Sequence, residues 1–374
     1  RPVAELRTGI LKISEKWKFY FHEINGYFTK DYLSEKYKSE PGFDNILING
    51  SLLPDPMLAE AIKNLRLMEA LVKGNKLLAV RLSKTAVEDF NPLHFTFYEL
   101  TEYKDEVDCI EYPWHIFTKN GREIINDFNL ITANRESCKL SPSNNLLSPG
   151  NIFAEEGVKA EYVTINASTG PVYLGVNSEI MEGAVIRGPF ALCECSVLKL
   201  MAKIYGPTTI GPFSKAGGEI NNSVIQGFSN KAHDGFLGNS VLGEWCNIGA
   251  DSNNSNLKNN YAEVKLWSYR EEKFIPTGLQ YCGLIMGDHS KCGINTMFNT
   301  GTVVGVSANI FGTGFPRQFI PSFSWGGAAG FSVYALEKAF ETAASVMSKR
   351  NQRFSETDKS ILKSIFAMTE KFRR

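Results

Sequence analysis

Two histidines lie in or near the stretch of this chain that is poorest in charge: His233, in Lys231-Ala232-His233-Asp234-Gly235, and His289, in Gly287-Asp288-His289-Ser290. Imidazole suits proton transfer near neutral pH because its ordinary pKa is about 6.5. A positioned general base contributes about 10²–10⁴-fold in rate. One reaction that such a base serves is acyl transfer to an amine, which is mostly protonated at that pH and must lose a proton to attack. A carboxylate can orient such an imidazole, and an Asn amide or backbone N–H can stabilise the developing oxyanion. Lys or Arg would hold an anionic phosphate, and Asn would read hydroxyls. His289 reads as a corner residue, and His22, His94 and His115 receive no role. Cys193 and Cys195 occupy alternating strand positions that face opposite sides, and no second pair completes a tetrahedral site, so no metal is expected. The glycines at Gly312 and Gly326 read as turn residues, since neither stands between a strand and a helix as a phosphate loop must.

The elements that must position these groups follow from composition and period. The 374 residues carry 40 basic and 40 acidic side chains. Zero net charge argues against nucleic acid or an anionic membrane as the main partner. No run approaches the ~18 apolar residues of a membrane span. Seven cysteines without regular spacing fit a reduced, cytoplasmic protein. The chain opens at Arg1 rather than Met, which leaves room for residues upstream.

Residues 1–100 hold 27 charged side chains, with helical patterning over 10–20 and 57–71 and apolar runs at 46–48 and 77–80. Asp55-Pro56 has the form of a helix start. Alternating helices and strands predict an α/β unit. Residues 171–260 hold only 13 charged residues in 90, with many Gly and Asn. The Ser/Pro/Asn stretch 141–150 separates the two regimes, giving expected domains of 1–149, 150–330 and 331–374. In the last of these, Val333, Leu336, Phe340, Ala344 and Met347 recur at helical spacing. Ser355-Glu356-Thr357-Asp358 resembles a capping box before a second helix.

Between these regions runs a period of six. Leu174, Ile180, Ile186, Leu192, Leu198, Ile204 and Ile210 are all aliphatic, and Ala216 extends the series. Four positions after each of the seven stand Ser178, Ala184, Phe190, Ser196, Ala202, Thr208 and Ser214, small in six cases. The period returns at Val224, Phe236, Leu242 and Ile248, with Asn230 as the exception, and again at Met286, Cys292, Phe298, Val304 and Ile310. Such a repeat is the signature of a parallel β-helix, in which three hexads make one coil of a prism. Residues 253–283 break the period and are expected to leave the prism as a loop, a common place for function.

The hexapeptide runs, together with Lys231–Gly238 (KAHDGFLG), 242–250 (LGEWCNIGA), the opening RPVAELR, the run from Gly283 and 320–325 (IPSFSW), resemble the bifunctional N-acetylglucosamine-1-phosphate uridyltransferase/glucosamine-1-phosphate N-acetyltransferase family. The likeness runs essentially end to end and is most specific over 170–330. It implies a nucleotidyltransferase-like α/β domain, a left-handed parallel β-helix and C-terminal helices. It further implies acetyl-CoA as co-substrate, a sugar phosphate or sugar nucleotide as acceptor, a place in UDP-N-acetylglucosamine biosynthesis, and a homotrimer with sites between prisms. By the same resemblance His233 matches the catalytic base and Glu219 is a candidate partner for it. Asn247 and Asn256 match acceptor-site polar residues, Lys199 a basic position near the sugar phosphate, and Lys265, more loosely, a residue reaching sugar or CoA. Two positions depart from the pattern: Phe236 stands where the family has Tyr, and Asn221 where a second basic residue is expected. In the N-terminal half no Gly-rich triphosphate loop is seen. Asn49 stands at a strand end where the family has a Mg²⁺-binding Asp, and an amide is the poorer ligand; Asp55 is the nearest carboxylate that could substitute. Mg²⁺ is expected only if this half is active. Three other readings compete with the acetyltransferase: a sugar-1-phosphate nucleotidyltransferase, a non-catalytic sugar-nucleotide-binding protein, and a three-His zinc enzyme, for which two β-helix histidines are few.

Overall fold

The structure, a computed structural model, describes residues 1–96 and 98–373. The chain packs as two compact units, one of residues 1–6 and 11–111, the other of residues 7–10 and 112–374. No described helix is long and apolar enough to cross a membrane.

The first unit is built on a four-stranded sheet in which Lys76–Ser83 pairs antiparallel with both Asp44–Ile48 and Glu69–Lys73, and the latter pairs parallel with Glu99–Glu102. Helix Pro56–Lys63 starts as Asp55-Pro56 predicts: Asp55 Oδ1 accepts from the N–H groups of Met57 and Leu58, satisfying two otherwise orphaned donors. The helix ends at Lys63 rather than near 71, because Glu69–Lys73 is a buried strand. The helical pattern over 10–20 likewise contracts to Ile13–Trp17.

In the second unit the hexads become a three-faced parallel β-helix. The first face stacks six strands from Asn145–Leu147 to Phe236–Gly238, and the second stacks nine from Ile152–Ala154 to Phe319–Ile320. The third runs from Lys159–Ala160 to Asn230–Lys231 and continues through single bridges at Asn247 to Lys291–Cys292 and beyond. Residues 18 apart face each other across coils, as in Ile180↔Leu198, Ile186↔Ile204 and Leu192↔Ile210. Each such aliphatic residue is sealed in one continuous core, worth about 1.5–3 kcal/mol per large side chain against exposure. The small positions have a second use. Ser196 Oγ donates to the carbonyl of Gly211 at 2.8 Å and Ser290 Oγ to that of Gly305 at 2.6 Å, bracing the corners between coils.

The first and third periodic runs hold; in the middle run Leu242 and Ile248 hold, and the strands before them slip. Ile220, Ile225 and Leu237 form the core there, while Val224 and Phe236 point the other way along their strands. The reason is a shortened coil: Ala216 pairs with Lys231, only 15 residues on. Lys231 therefore takes a place in the third-face column otherwise filled by Ala160, Ile180, Leu198 and Ala216. The excursion also starts later than expected, since Asn253–Asn254 still pairs with Met297–Phe298. Beyond it a hairpin, Lys265–Ser268 with Lys273–Pro276, lies over the second face, with Trp267 stacked on Phe319 at 4.2 Å.

Outside the prism, helix Asn120–Thr132 packs on the second face and holds residues 7–10 there. Asn120 Oδ1 accepts from Gly9 N–H, Asp127 Oδ2 from Ile10 N–H, and the Gln226 amide exchanges two hydrogen bonds with the Arg7 backbone at 2.7 and 2.9 Å. At the far end come helices Leu336–Ser348 and Glu356–Met368, the second with the Ser355/Asp358 capping box formed. Val333 belongs to a strand rather than to the first helix, whose inward residues are Ala339, Ala343 and Met347, while Ala344 is exposed.

Two substitutions test this packing. Leu198→Ala opens a cavity in the core column and is expected to destabilise the second unit by about 2–5 kcal/mol, whereas half-exposed Val185 tolerates Ala within about 0.5 kcal/mol; thermal unfolding of both variants decides. Gln226→Ala leaves a buried backbone N–H and C=O of Arg7 without their partner, and a loss of about 1–3 kcal/mol should appear by the same measurement.

Candidate functional site

His233 lies in the turn between third-face strand Asn230–Lys231 and first-face strand Phe236–Gly238. Its imidazole is exposed and has no side-chain hydrogen bond among the described residues. The backbone carrying it is tightly confined. A Cβ on Gly217, in the coil below, would lie 2.5 Å from the carbonyl oxygen of Ala232, and one on Gly218 would lie 2.8 Å from those of His233 and Gly235. From the next coil Ser252 approaches so closely that a Cβ on Gly235, at φ +110°, would come within 2.2 Å of its carbonyl oxygen. Only glycine permits this spacing, and the Gly217-Gly218 pair is what lets the coils close on the turn.

The strand that follows is completed by side chains. Asn253 Oδ1 accepts from Phe236 N–H at 2.7 Å. The Asn254 amide accepts from Gly238 N–H at 2.9 Å and donates to its carbonyl at 3.0 Å. These two asparagines take the place of a neighbouring strand's backbone. Sequence reasoning passed over them, although the Asn-rich run 253–256 is a visible signal. Asn256 Nδ2 donates to Asn239 Oδ1 at 2.8 Å, and the Phe236 ring and Asn256 amide meet over Gly238, where a Cβ would lie 2.4 and 2.7 Å from them.

On the same face Glu219 pairs in register with Phe236, and Asn221 with Gly238. The Glu219 carboxylate accepts from the Tyr205 hydroxyl at 2.5 Å and faces Lys203 at 3.9 Å; accepting that hydrogen bond raises the Tyr205 phenol to about 12. Within the chain Glu219 thus serves Tyr205 and Lys203, and no hydrogen bond to His233 is made. Lys199 sits at the same corner as His233, its Cβ 3.1 Å from a Cβ placed on Gly217. The chain therefore gathers His233, Glu219, Asn221, Phe236, Asn256 and Lys199 around one face and its corner.

Two of the named positions stand apart. Asn247 is on the third face, its Oδ1 3.4 Å from the Asn230 amide, which in turn receives the Arg350 guanidinium. Lys265 is exposed on the second-face hairpin. His289 is a corner residue with φ +63°, as expected, in a ladder of stacked rings that runs Phe213, Phe228, Trp245, His289. Cys193 is buried and Cys195 exposed at a corner.

In the first unit Asn49 Nδ2 donates to the Leu77 carbonyl at 3.0 Å, while its Oδ1 accepts from both the N–H and the hydroxyl of Ser51. Asp55 caps its helix. Both groups are used by the fold, and among the described residues no cluster of three or more His, Cys, Asp or Glu could hold a metal ion. Asn49 therefore offers no free amide oxygen at the strand end, and Asp55 keeps its Oδ1 on the helix start.

Comparison with known proteins gives partial matches at low identity. The sugar nucleotidyl transferase family model matches residues 1–136. An uncharacterized acetyltransferase, YaiX, of Escherichia coli O6:K15:H31 is 28% identical over 153 residues, 40% of this chain and 66% of that protein. A bifunctional sugar-1-phosphate nucleotidylyltransferase/acetyltransferase of Sulfurisphaera tokodaii is 28% identical over 243 residues, 64% of this chain and 56% of that one. The bifunctional protein GlmU of Methanocaldococcus jannaschii is 33% identical over 89 residues, covering 23% and 21%. The matches thus span at most about two thirds of these relatives' lengths. Among solved structures, a UDP-N-acetylglucosamine acyltransferase from Campylobacter jejuni aligns over 60% of this chain and 95% of its own, at 14% identity and a TM-score of 0.25. The chain is thus similar, at low identity, to bifunctional nucleotidylyltransferase/acetyltransferases, with a sugar nucleotidyl transferase match over residues 1–136 and a hexapeptide-repeat β-helix after it.

Proposed function

We propose that the protein is an acetyl-CoA-dependent N-acetyltransferase acting on an amino-sugar phosphate or sugar nucleotide resembling glucosamine-1-phosphate, with His233 as general base. The observation that carries this reading is the His233 turn: an exposed imidazole without a protein partner, on a backbone confined from two sides, beside a first-face patch of ring and amide groups. In the reaction the amine gives a proton to the imidazole as its nitrogen attacks the thioester carbon. The C–N bond forms, the C–S bond breaks, and the CoA sulfur leaves with a proton. Asn256 and Asn221 offer amides to sugar hydroxyls, the Phe236 ring gives the sugar an apolar face, and Lys199 and Lys203 offer cations to phosphate. Lys203 enters this set on position alone, one coil below Glu219 on the same face. Asn247 and Lys265 join the site only if a neighbouring copy brings its own hairpin or third face alongside, as in a homotrimer with sites between prisms. Relatives named for both nucleotidyl and acetyl transfer support the general class.

The match over residues 1–136 favours a second reading, sugar-1-phosphate nucleotidyl transfer by the first unit. The engaged side chains of Asn49 and Asp55 weigh against it.

Thiol release from acetyl-CoA in the presence of glucosamine-1-phosphate, followed for wild type and His233→Ala, tests the proposal. Turnover by wild type with a loss of at least about 10²-fold in the variant is expected. Absence of thiol release with this acceptor and with a panel of amino-sugar nucleotides would refute acyl transfer, while equal rates in the two proteins would refute the role of His233.

A further inference from the structure

At Lys231 the third-face core column, otherwise aliphatic or small in the neighbouring coils, contains a lysine that is 1% exposed. Removing an ammonium from water is costly unless acceptors replace the solvent. The column itself does not require one: Ala216 fills the position below, and Ile248 follows in the coil above. What distinguishes this coil is its turn. Lys231 Nζ donates to the backbone carbonyl of His233 and, at 3.2 Å, to that of Asp234, which also accepts from Asp251 N–H. The lysine therefore runs inside the prism and grips from within the segment that Gly217, Gly218 and Ser252 confine from the adjacent coils.

We propose that Lys231 is a positioning residue for His233, an ammonium sealed in the core whose hydrogen bonds pin the turn and thereby fix where the imidazole stands. The inference rests on the acyl-transfer reading of His233. The energetics of the site agree with a side chain kept for placement. Burial pushes the Lys231 amine down to about 8, against the opposing influence of Asp234, Asp251 and Cys292, which face it. Lysine in an unfolded chain titrates near 10.4. A base lowered in this way adds stability that is full above the unfolded value and is lost as pH falls through about 8. At neutral pH the charged lysine is thus carried at a cost to the fold.

The test compares wild type with Lys231→Met, which fills the column without charge, and Lys231→Gln, which keeps an N–H donor. Thermal unfolding from pH 7 to 10, kcat and KM for acetyl-CoA, and the His233 imidazole resonance in histidine-labelled protein are measured on each. Expected for Lys231→Met is a midpoint at neutral pH no lower than wild type, with the rise in stability above pH 8 reduced. Its kcat should fall at least about tenfold, its KM for acetyl-CoA should change by less than about threefold, and the His233 resonance should shift. Lys231→Gln should recover part of the kcat. Full kcat with an unmoved resonance in Lys231→Met would overturn the proposal. So would failure of both variants to fold, which would leave Lys231 no role separable from the core. If wild type releases no thiol, it is the acyl-transfer reading that fails, and the His233 resonance still decides whether Lys231 pins the turn.

Discussion

Parallel pairing between residues one coil apart is the constraint on which the second unit rests. Where the step is 18 residues, as from Ile180 to Leu198 and from Leu192 to Ile210, every third hexad falls on the same face and the aliphatic columns seal. A coil cannot lose a residue from one face without moving everything that follows. The chain shortens its coils most between Ile204 and Lys231, where partners are 15 or 16 residues apart, and 16-residue steps recur from Val303 to Phe319 and from Asn309 to Trp325. The His233 turn comes immediately after that irregular stretch. That turn has paired glycines below it, a glycine at φ +110° within it, and a lysine in the core.

Much of this architecture was legible in the residues. The first and last hexad runs name their own core, because a six-residue period matches neither helix nor simple strand alternation. Local rules also sufficed for the Asp55 cap and the Ser355 capping box. In the middle run Leu242 and Ile248 are core as the period predicts, but Val224 and Phe236 sit one residue from the true core positions Ile225 and Leu237. In a strand a shift of one residue exchanges inside for outside. Asn253 and Asn254 were passed over because their amides substitute for backbone, a use that no apolar pattern reveals. Nor could spacing show that residues 7–10 pack with helix Asn120–Thr132, a contact made by buried amide and carboxylate groups more than 100 positions away.

The site divides along the same line. Proximity of His233, Phe236 and Asn256 follows from chain order and the prism. The partners of Glu219 follow from side chains one coil apart, and Tyr205 takes the carboxylate that the sequence offered to His233. In the first unit, Asn49 at the strand end closes a turn with Ser51 and Leu77, a use of its amide that the strand-end position did not reveal. On the proposed function, an acceptor's amine would meet an imidazole held by a confined turn, and that preorganisation is what the fold would contribute.

The most direct test of this account is the fate of the acetyl group. Wild-type protein incubated with carbonyl-labelled acetyl-CoA and glucosamine-1-phosphate should yield one acetyl on the sugar nitrogen for each thiol released, read by mass and carbon NMR of the product. Thiol release accompanied by free acetate, with no acetylated sugar, would show hydrolysis rather than transfer and contradict the role given to the His233 turn.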